Sequence, residues 1–181
     1  AAIGKVVAAT GAPYVDGGII GPPPKLDGSS RTIFYVSGEH APHMDALNAK
    51  GLVVRQVDGG IGAASALKMS YAAITKGLNA LGAASALAAE RSGAKAGLLR
   101  ELSESQPGLL AFLSRGVPDM LSKAYRWVGE MEEIADYMAE PAAASVYKGI
   151  AAFDQTLADD HAGPKAKCAI LEGFYKEPKK S

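Results

Sequence analysis

The sequence predicts a mixed fold, a short α/β part over the first 58 residues followed by an all-helical remainder. Three observations carry this expectation. Runs rich in β-branched and aromatic residues, punctuated by Gly and Pro, fill the stretch before Gly59. A helical apolar period takes over at Ile61, and after Gly93 every apolar run has helical rather than strand spacing.

Ala1 to Thr10 reads as a short helix stopped by Gly11, and Tyr14 to Ile20 as a strand. The strand ends at Gly21-Pro22-Pro23-Pro24, where consecutive prolines exclude both helix and central strand. Arg31 to Ser37 gives a second strand, Ala41 to Lys50 a short helix, and Leu52 to Val57 a third strand. From Ile61 the residues Leu67, Tyr71, Ile74, Leu78 and Leu81 fall on one helical face, which predicts a helix over about 61–92 ended by Gly93. Thirty residues make a rod of roughly 45 Å, a length suited to joining two domains or two subunits. Gly77 and Gly82 inside it each cost up to about 1 kcal/mol relative to Ala, which close packing of another helix would offset. Further helices are expected near Lys95 to Glu104, Pro107 to Arg115, Pro118 to Met138 and Pro141 to Ala158, most opening on proline. Residues 161–181, ending in KEPKKS, read as a solvated tail.

Composition narrows the function classes. Apolar residues make up 48% and charged residues 21%, ordinary for a globular chain, and 19 basic residues balance 19 acidic ones. Without a basic excess there is no field to draw the chain onto nucleic acid or an anionic membrane. Gly, Lys, Arg or Glu interrupts every apolar stretch before it could span a bilayer. A single cysteine, Cys168, forms no internal disulfide and fits a reducing, cytoplasmic setting. The chain begins with Ala rather than Met, and AAIGKVVAATG reads as the middle of a longer polypeptide. His40 and His43 flank Ala-Pro and do not share a helix face, and Asp159, Asp160 and His161 lack a partner cluster, so no metal site is expected. GxSxG, CxxC and HExxH are absent.

The segment with chemical content is GGIGAASALKMSYAAITKG, in which a glycine-rich turn at Gly59, Gly60 and Gly62 leads into the long helix and sets Lys68 inside it. Ser65, Lys68, Thr75 and Asn79 form a polar stripe that could line a cleft. Spacing alone leaves the solvated-face reading open, with Lys68 an ordinary surface lysine. The loop at Gly17, Gly18 and Gly21 could offer backbone N–H groups to a carboxylate or serve only as a turn. Glu130 and Glu133 could face a cleft or form a solvated acidic face with an Arg126–Glu130 pair.

A strand ending in DGGIIGPP, a strand ending in SG, a third strand and then GGIGAASALK resemble, in that order, the 3-hydroxyisobutyrate and 6-phosphogluconate dehydrogenase superfamily. ALKMSYAAITKG, LAAERSG and AYRWVGEMEEIA are similar to one branch, the C-terminal domain of NAD-binding phosphogluconate dehydrogenase-like proteins. The resemblance covers nearly the whole chain before the tail. It implies that residues 1–58 are the C-terminal edge of an incomplete Rossmann-type nucleotide-binding domain. Residues 59–160 are then a 6-phosphogluconate dehydrogenase C-terminal-like helical domain for substrate binding and dimerisation.

By that resemblance Lys68 is the catalytic acid/base of an NAD(P)-dependent dehydrogenase. As a hydroxyl carbon gives up hydride its proton must leave, and a neutral amine can take it, a role that needs burial or a nearby cation around an ordinary lysine. Ser65, Tyr71, Glu130 and the loop at Gly17, Gly18 and Gly21 are the implied contacts of a small hydroxyacid-type substrate, and Gly60 and Gly62 the implied contacts of NAD or NADP. Two departures bear on the substrate. Tyr71 and Ala72 stand where the superfamily has asparagines, and Ile20-Gly21-Pro22 replaces its Ser-Gly-Gly.

A dinucleotide-binding unit needs a strand, a GxGxxG turn and a helix holding the pyrophosphate, and this chain carries no such fingerprint. Alone it should be inactive. The leading expectation is therefore the C-terminal part of a homodimeric hydroxyacid oxidoreductase. The alternative is a non-catalytic helical dimerisation module that keeps the fold without binding cofactor.

Overall fold

In a computed structural model of the protein, residues 2–23 and 32–176 are described; Pro24 and the last five residues of the expected tail lie outside them. The chain divides into two compact units, Ala1–Tyr71 and Ala72–Ser181. The division falls inside the long helix.

In the first unit, α1 (Ala2–Ala8) precedes β1 (Asp16–Ile20), β2 (Ile33–Ser37), a 3-10 helix (Ala41–Lys50) and β3 (Val53–Gln56). The strands form one sheet in the order β1-β2-β3. β1 runs antiparallel to β2, pairing Asp16 with Ser37 and Ile20 with Ile33. β3 runs parallel to β2, pairing Ile33 with Val53 and Val36 with Gln56. A parallel return needs a crossover, and the 3-10 helix supplies it, ending at Gly51 with the left-handed φ of 86° that glycine adopts at least cost. Val36, Ala41 and Val54 form the small core between sheet and crossover, with Phe34, Met44 and Leu47 packed against it.

α2 (Ala63–Arg91) starts in the first unit and runs on into the second. Its buried face is made of Ala73, Ala80, Ala83 and Ala86 with Gly77 and Gly82, while Tyr71, Ile74, Leu78 and Leu81 of the apolar stripe stand exposed. Small residues let other helices approach closely. A Cβ at Gly82 would come within 2.5 Å of Leu113, and one at Gly77 within 3.6 Å of Tyr147 and 3.8 Å of Ile150.

The second unit continues with α3 (Lys95–Ser105), α4 (Pro107–Leu121), α5 (Ala124–Met138), α6 (Pro141–Ala162) and α7 (Ala166–Tyr175). Two expectations are corrected. Pro118 does not open a helix but lies in the last turns of α4, held by the burial of Val117, Met120 and Leu121 around it, and the break comes at Ser122-Lys123. Residues 161–176 are not a tail: α6 runs to Ala162, and α7 buries Cys168, Leu171, Phe174 and Tyr175 along one face. The Tyr175 hydroxyl donates to the Gly82 carbonyl of α2 at 3.0 Å, tying α7 to the long helix. Glu140 caps α6, its carboxylate accepting from the Ala142 and Ala143 amides. Among the described residues no helix is long and apolar enough to cross a membrane, and no cluster of acidic, His or Cys side chains could hold a metal.

Candidate functional site

The start of α2 poses a capping problem. Its first amides lack helical partners, and the preceding Gly59-Gly60-Ile61-Gly62 offers no polar side chain to cap them. The sheet supplies the caps instead. Asp16, the first residue of β1, accepts from the Ser65 amide at 2.9 Å and from the Ser65 hydroxyl at 2.6 Å. Ser37, the last residue of β2 and the register partner of Asp16, accepts from the Ala64 amide at 3.0 Å and donates to Asp16 at 3.2 Å. Burial pushes the Asp16 carboxyl up, but the Ser65 side chain and amide, the Ser37 hydroxyl and the Gly62 backbone together hold it below the usual value of 3.8. A carboxylate at a helix N-terminus also opposes the positive end of the helix dipole.

This arrangement brings β1 onto the first turns of α2. A Cβ at Gly18 would sit 2.8 Å from the Ala64 carbonyl oxygen and 3.2 Å from Lys68 Cβ, so only glycine fits there. Lys68, an exposed residue, therefore has its Cβ beside the backbone of β1. Gly17 is exposed, its Cβ position 3.8 Å from the Tyr35 carbonyl oxygen, and exposed Gly21 has the φ of 127° that glycine tolerates. The first unit thus gathers Gly18, Ser65 and Lys68, with Gly17 and Gly21 along the same strand and turn. Tyr71 lies further along α2, half exposed.

Glu130 belongs to the second unit. The expected Arg126–Glu130 pair is not the one formed: Glu130 pairs with Lys76, whose ammonium also lies 5.0 Å from the centroid of the Trp127 ring. Asn79 of the expected polar stripe is buried beside Gly116 rather than solvated.

Gly60 and Gly62 do not make an anion cradle. A pyrophosphate held at the start of α2 would need the free amides there, yet Ala64 and Ser65 already donate to Ser37 and Asp16. The Asp16 carboxylate would repel it as well. The described residues therefore fit a turn, not a dinucleotide phosphate site.

Asp16 and Ser37 are the residues that sequence reasoning missed. One signal pointed to them: a helix whose N-cap region is all Gly and Ile must borrow its caps, and DGG at a strand start supplies a carboxylate.

A family model described as a domain of unknown function, DUF1932, matches residues 89–157. Two solved structures are similar. One is the conserved protein MTH1747 of unknown function, described as structurally similar to 3-hydroxyacid dehydrogenases; it is 26% identical, with a TM-score of 0.69 over 81% of this chain and 56% of its own. The other is a conserved hypothetical protein from Sinorhizobium meliloti 1021, 22% identical, with a TM-score of 0.69 over 94% of this chain and 60% of its own. No curated protein matches. The likeness of MTH1747 to 3-hydroxyacid dehydrogenases accords with the superfamily that the glycine-rich turn and the lysine-bearing helix resemble. The chain spans less than two thirds of the length of either structure.

Proposed function

We propose that the chain is the C-terminal part of an NAD(P)-dependent oxidoreductase acting on a small hydroxyacid-type substrate, with Lys68 as general acid/base. The observation that carries this reading is the approach of β1 to α2 at Gly18, which sets Lys68 against the strand whose Gly17–Gly21 backbone is the candidate substrate contact. A nicotinamide held elsewhere would supply hydride acceptance when bound. The residues of this chain contribute the proton: in substrate oxidation the Lys68 amine takes the hydroxyl proton, and in reduction its ammonium returns it. Asp16 and Ser37 hold the lysine-bearing turns against the sheet, and the Ser65 hydroxyl, already on Asp16, acts through that tether. The occupied amides at the start of α2 favour a dinucleotide phosphate site elsewhere in the longer polypeptide. A cytoplasmic setting accords with this activity.

The test is turnover of a hydroxyacid panel by the full-length polypeptide and by its Lys68→Ala form. The expected result is a fall in kcat of roughly 10²–10⁴-fold with nicotinamide binding retained; undiminished turnover sinks the role of Lys68.

Homodimerisation is part of the same proposal. Ile74 is 62% exposed and Leu81 54%, and a cleft of about 220 Å³ lined by Leu78, Leu81, Leu98 and Leu113 continues their stripe, more apolar surface than one isolated helix face needs. Sedimentation equilibrium should give twice the chain mass, and Ile74→Glu should shift it to the single-chain mass. An unchanged mass in the variant removes the stripe as the interface.

A further inference from the structure

The interior of the helical unit holds a carboxyl group for which the dehydrogenase reading has no use. Asp154, one turn after buried Ile150 on α6, is 0% exposed, and neither of its oxygens has a hydrogen-bond partner. Buried carboxyl groups are ordinarily hydrogen-bonded or paired, and an apolar residue at this position would pack at lower cost. Burial pushes Asp154 up to about 7, and the charge of Lys76 on α2 counters it only in part. Lys76 is meanwhile engaged on Glu130 of α5 and over the ring of Trp127.

Gly77, the residue after Lys76 on α2, packs against Tyr147 and Ile150 of α6, one turn before Asp154, so α2 brings Lys76 to this stretch of α6 and leaves it the charge that matters. On α5, Glu130 meets Lys76, while Arg126, Glu132, Glu133 and Asp136 are exposed. On α4 the charged residues Arg115 and Asp119 are exposed. On α7 the buried titratable groups are Cys168, whose amide is on Asp160, and Tyr175, whose hydroxyl is on Gly82. On α6 itself, Asp160 accepts from α7, and Lys148 and Asp159 are exposed. Asn79, one turn after Lys76 on α2, adds a buried carbonyl oxygen that also lacks a partner.

We infer that Asp154, Lys76 and Glu130 form a proton-linked latch within the helical unit. With Asp154 protonated, the Lys76 ammonium stays on Glu130 and over Trp127; when Asp154 releases its proton to solvent, the ammonium is drawn off toward α6. The direction follows from which carboxylate water can reach. Glu130 keeps 39% of its side chain exposed and is solvated when Lys76 leaves, whereas an ionised Asp154 has no such recourse and binds the cation that can reach it. The flexible four-carbon stem of lysine allows the movement, and Asn79 offers the displaced ammonium an acceptor on the same helix face.

Trp127 is the chain's one tryptophan, so its emission reports the cation above it. Titrating the full chain from pH 5 to 9 should show a single change in Trp127 emission with a midpoint near 7, at constant far-UV circular dichroism. Asp154→Asn, which retains His161 and every other group that titrates in that range, should abolish the change. Lys76→Met should abolish it too, by removing the cation, and serves if the first variant fails to fold. A flat wild-type titration, or a transition that survives in either variant, overturns the latch.

Discussion

Asp16 in the α/β unit and Asp154 in the helical unit are both buried carboxyl groups against which α2 or its neighbours pack, and they differ in everything else. Asp16 accepts three hydrogen bonds from Ser65 and Ser37 and is held below the usual carboxylate value. Asp154 accepts none and is pushed to about 7. Burial is common to both; what decides the charge state is whether donors were built to meet the oxygens. The start of α2 has donors because a helix N-terminus always leaves amides over. Mid-helix, at Asp154 on α6, every backbone amide is already spent within the helix, and the compensating charge must come from a side chain.

The largest effect expected from breaking this contrast is at Asp16. Asp16→Ala strands the Ser65 amide and the Ser65 and Ser37 hydroxyls, and should destabilise the α/β unit by on the order of 3–5 kcal/mol. Amide exchange at Ala64 and Ser65 should accelerate in step. Because the Asp16 value is lowered on folding, its contribution is fully present above the unfolded value of 3.8 and is lost as pH falls through the folded value. The gap between wild type and variant in urea unfolding should therefore close in strong acid. A loss near zero at pH 7 would mean that water replaces the carboxylate as the cap.

How much of this was legible in the sequence follows from how local each feature is. The strands at 16–20, 33–37 and 53–56 stand where β-branched and aromatic runs announced them, and α2 where the apolar period did. The period gave the helix but not its buried face: Tyr71, Ile74, Leu78 and Leu81 are exposed, while alanines and glycines pack, because close helix approach selects small residues. α7 was hidden by the charged KEPKKS that follows it, although Cys168, Leu171 and Phe174 recur at helical spacing. The Asp16 cap joins residues 49 apart in the chain, beyond any window of periodicity. Lys68 could be found by family resemblance, but its position beside Gly18 is visible only once β1 lies on α2. Asp154 looked like any polar residue in AAFDQT, since one carboxylate on a long helix says nothing of which face is buried.

The effect opposite in sign is at Asp154. Its folded value is raised above the unfolded 3.8, so below that value the group is protonated in both states and costs nothing. Between 3.8 and about 7 the unfolded chain ionises while the folded chain holds its proton, and the cost grows by about 1.4 kcal/mol per pH unit. Above that range it levels off. Asp154→Asn keeps a polar side chain of the same size but cannot ionise, so it removes only the pH-dependent part. The variant should match wild type near pH 4 and exceed it at pH 8 by on the order of 4 kcal/mol, read from urea midpoints of the helical unit across that range. Parallel pH profiles for the two proteins would show that the Asp154 carboxylate finds donors when it ionises, and the contrast with Asp16 would then be one of kind of partner, solvent or ammonium against backbone amide, rather than of presence and absence.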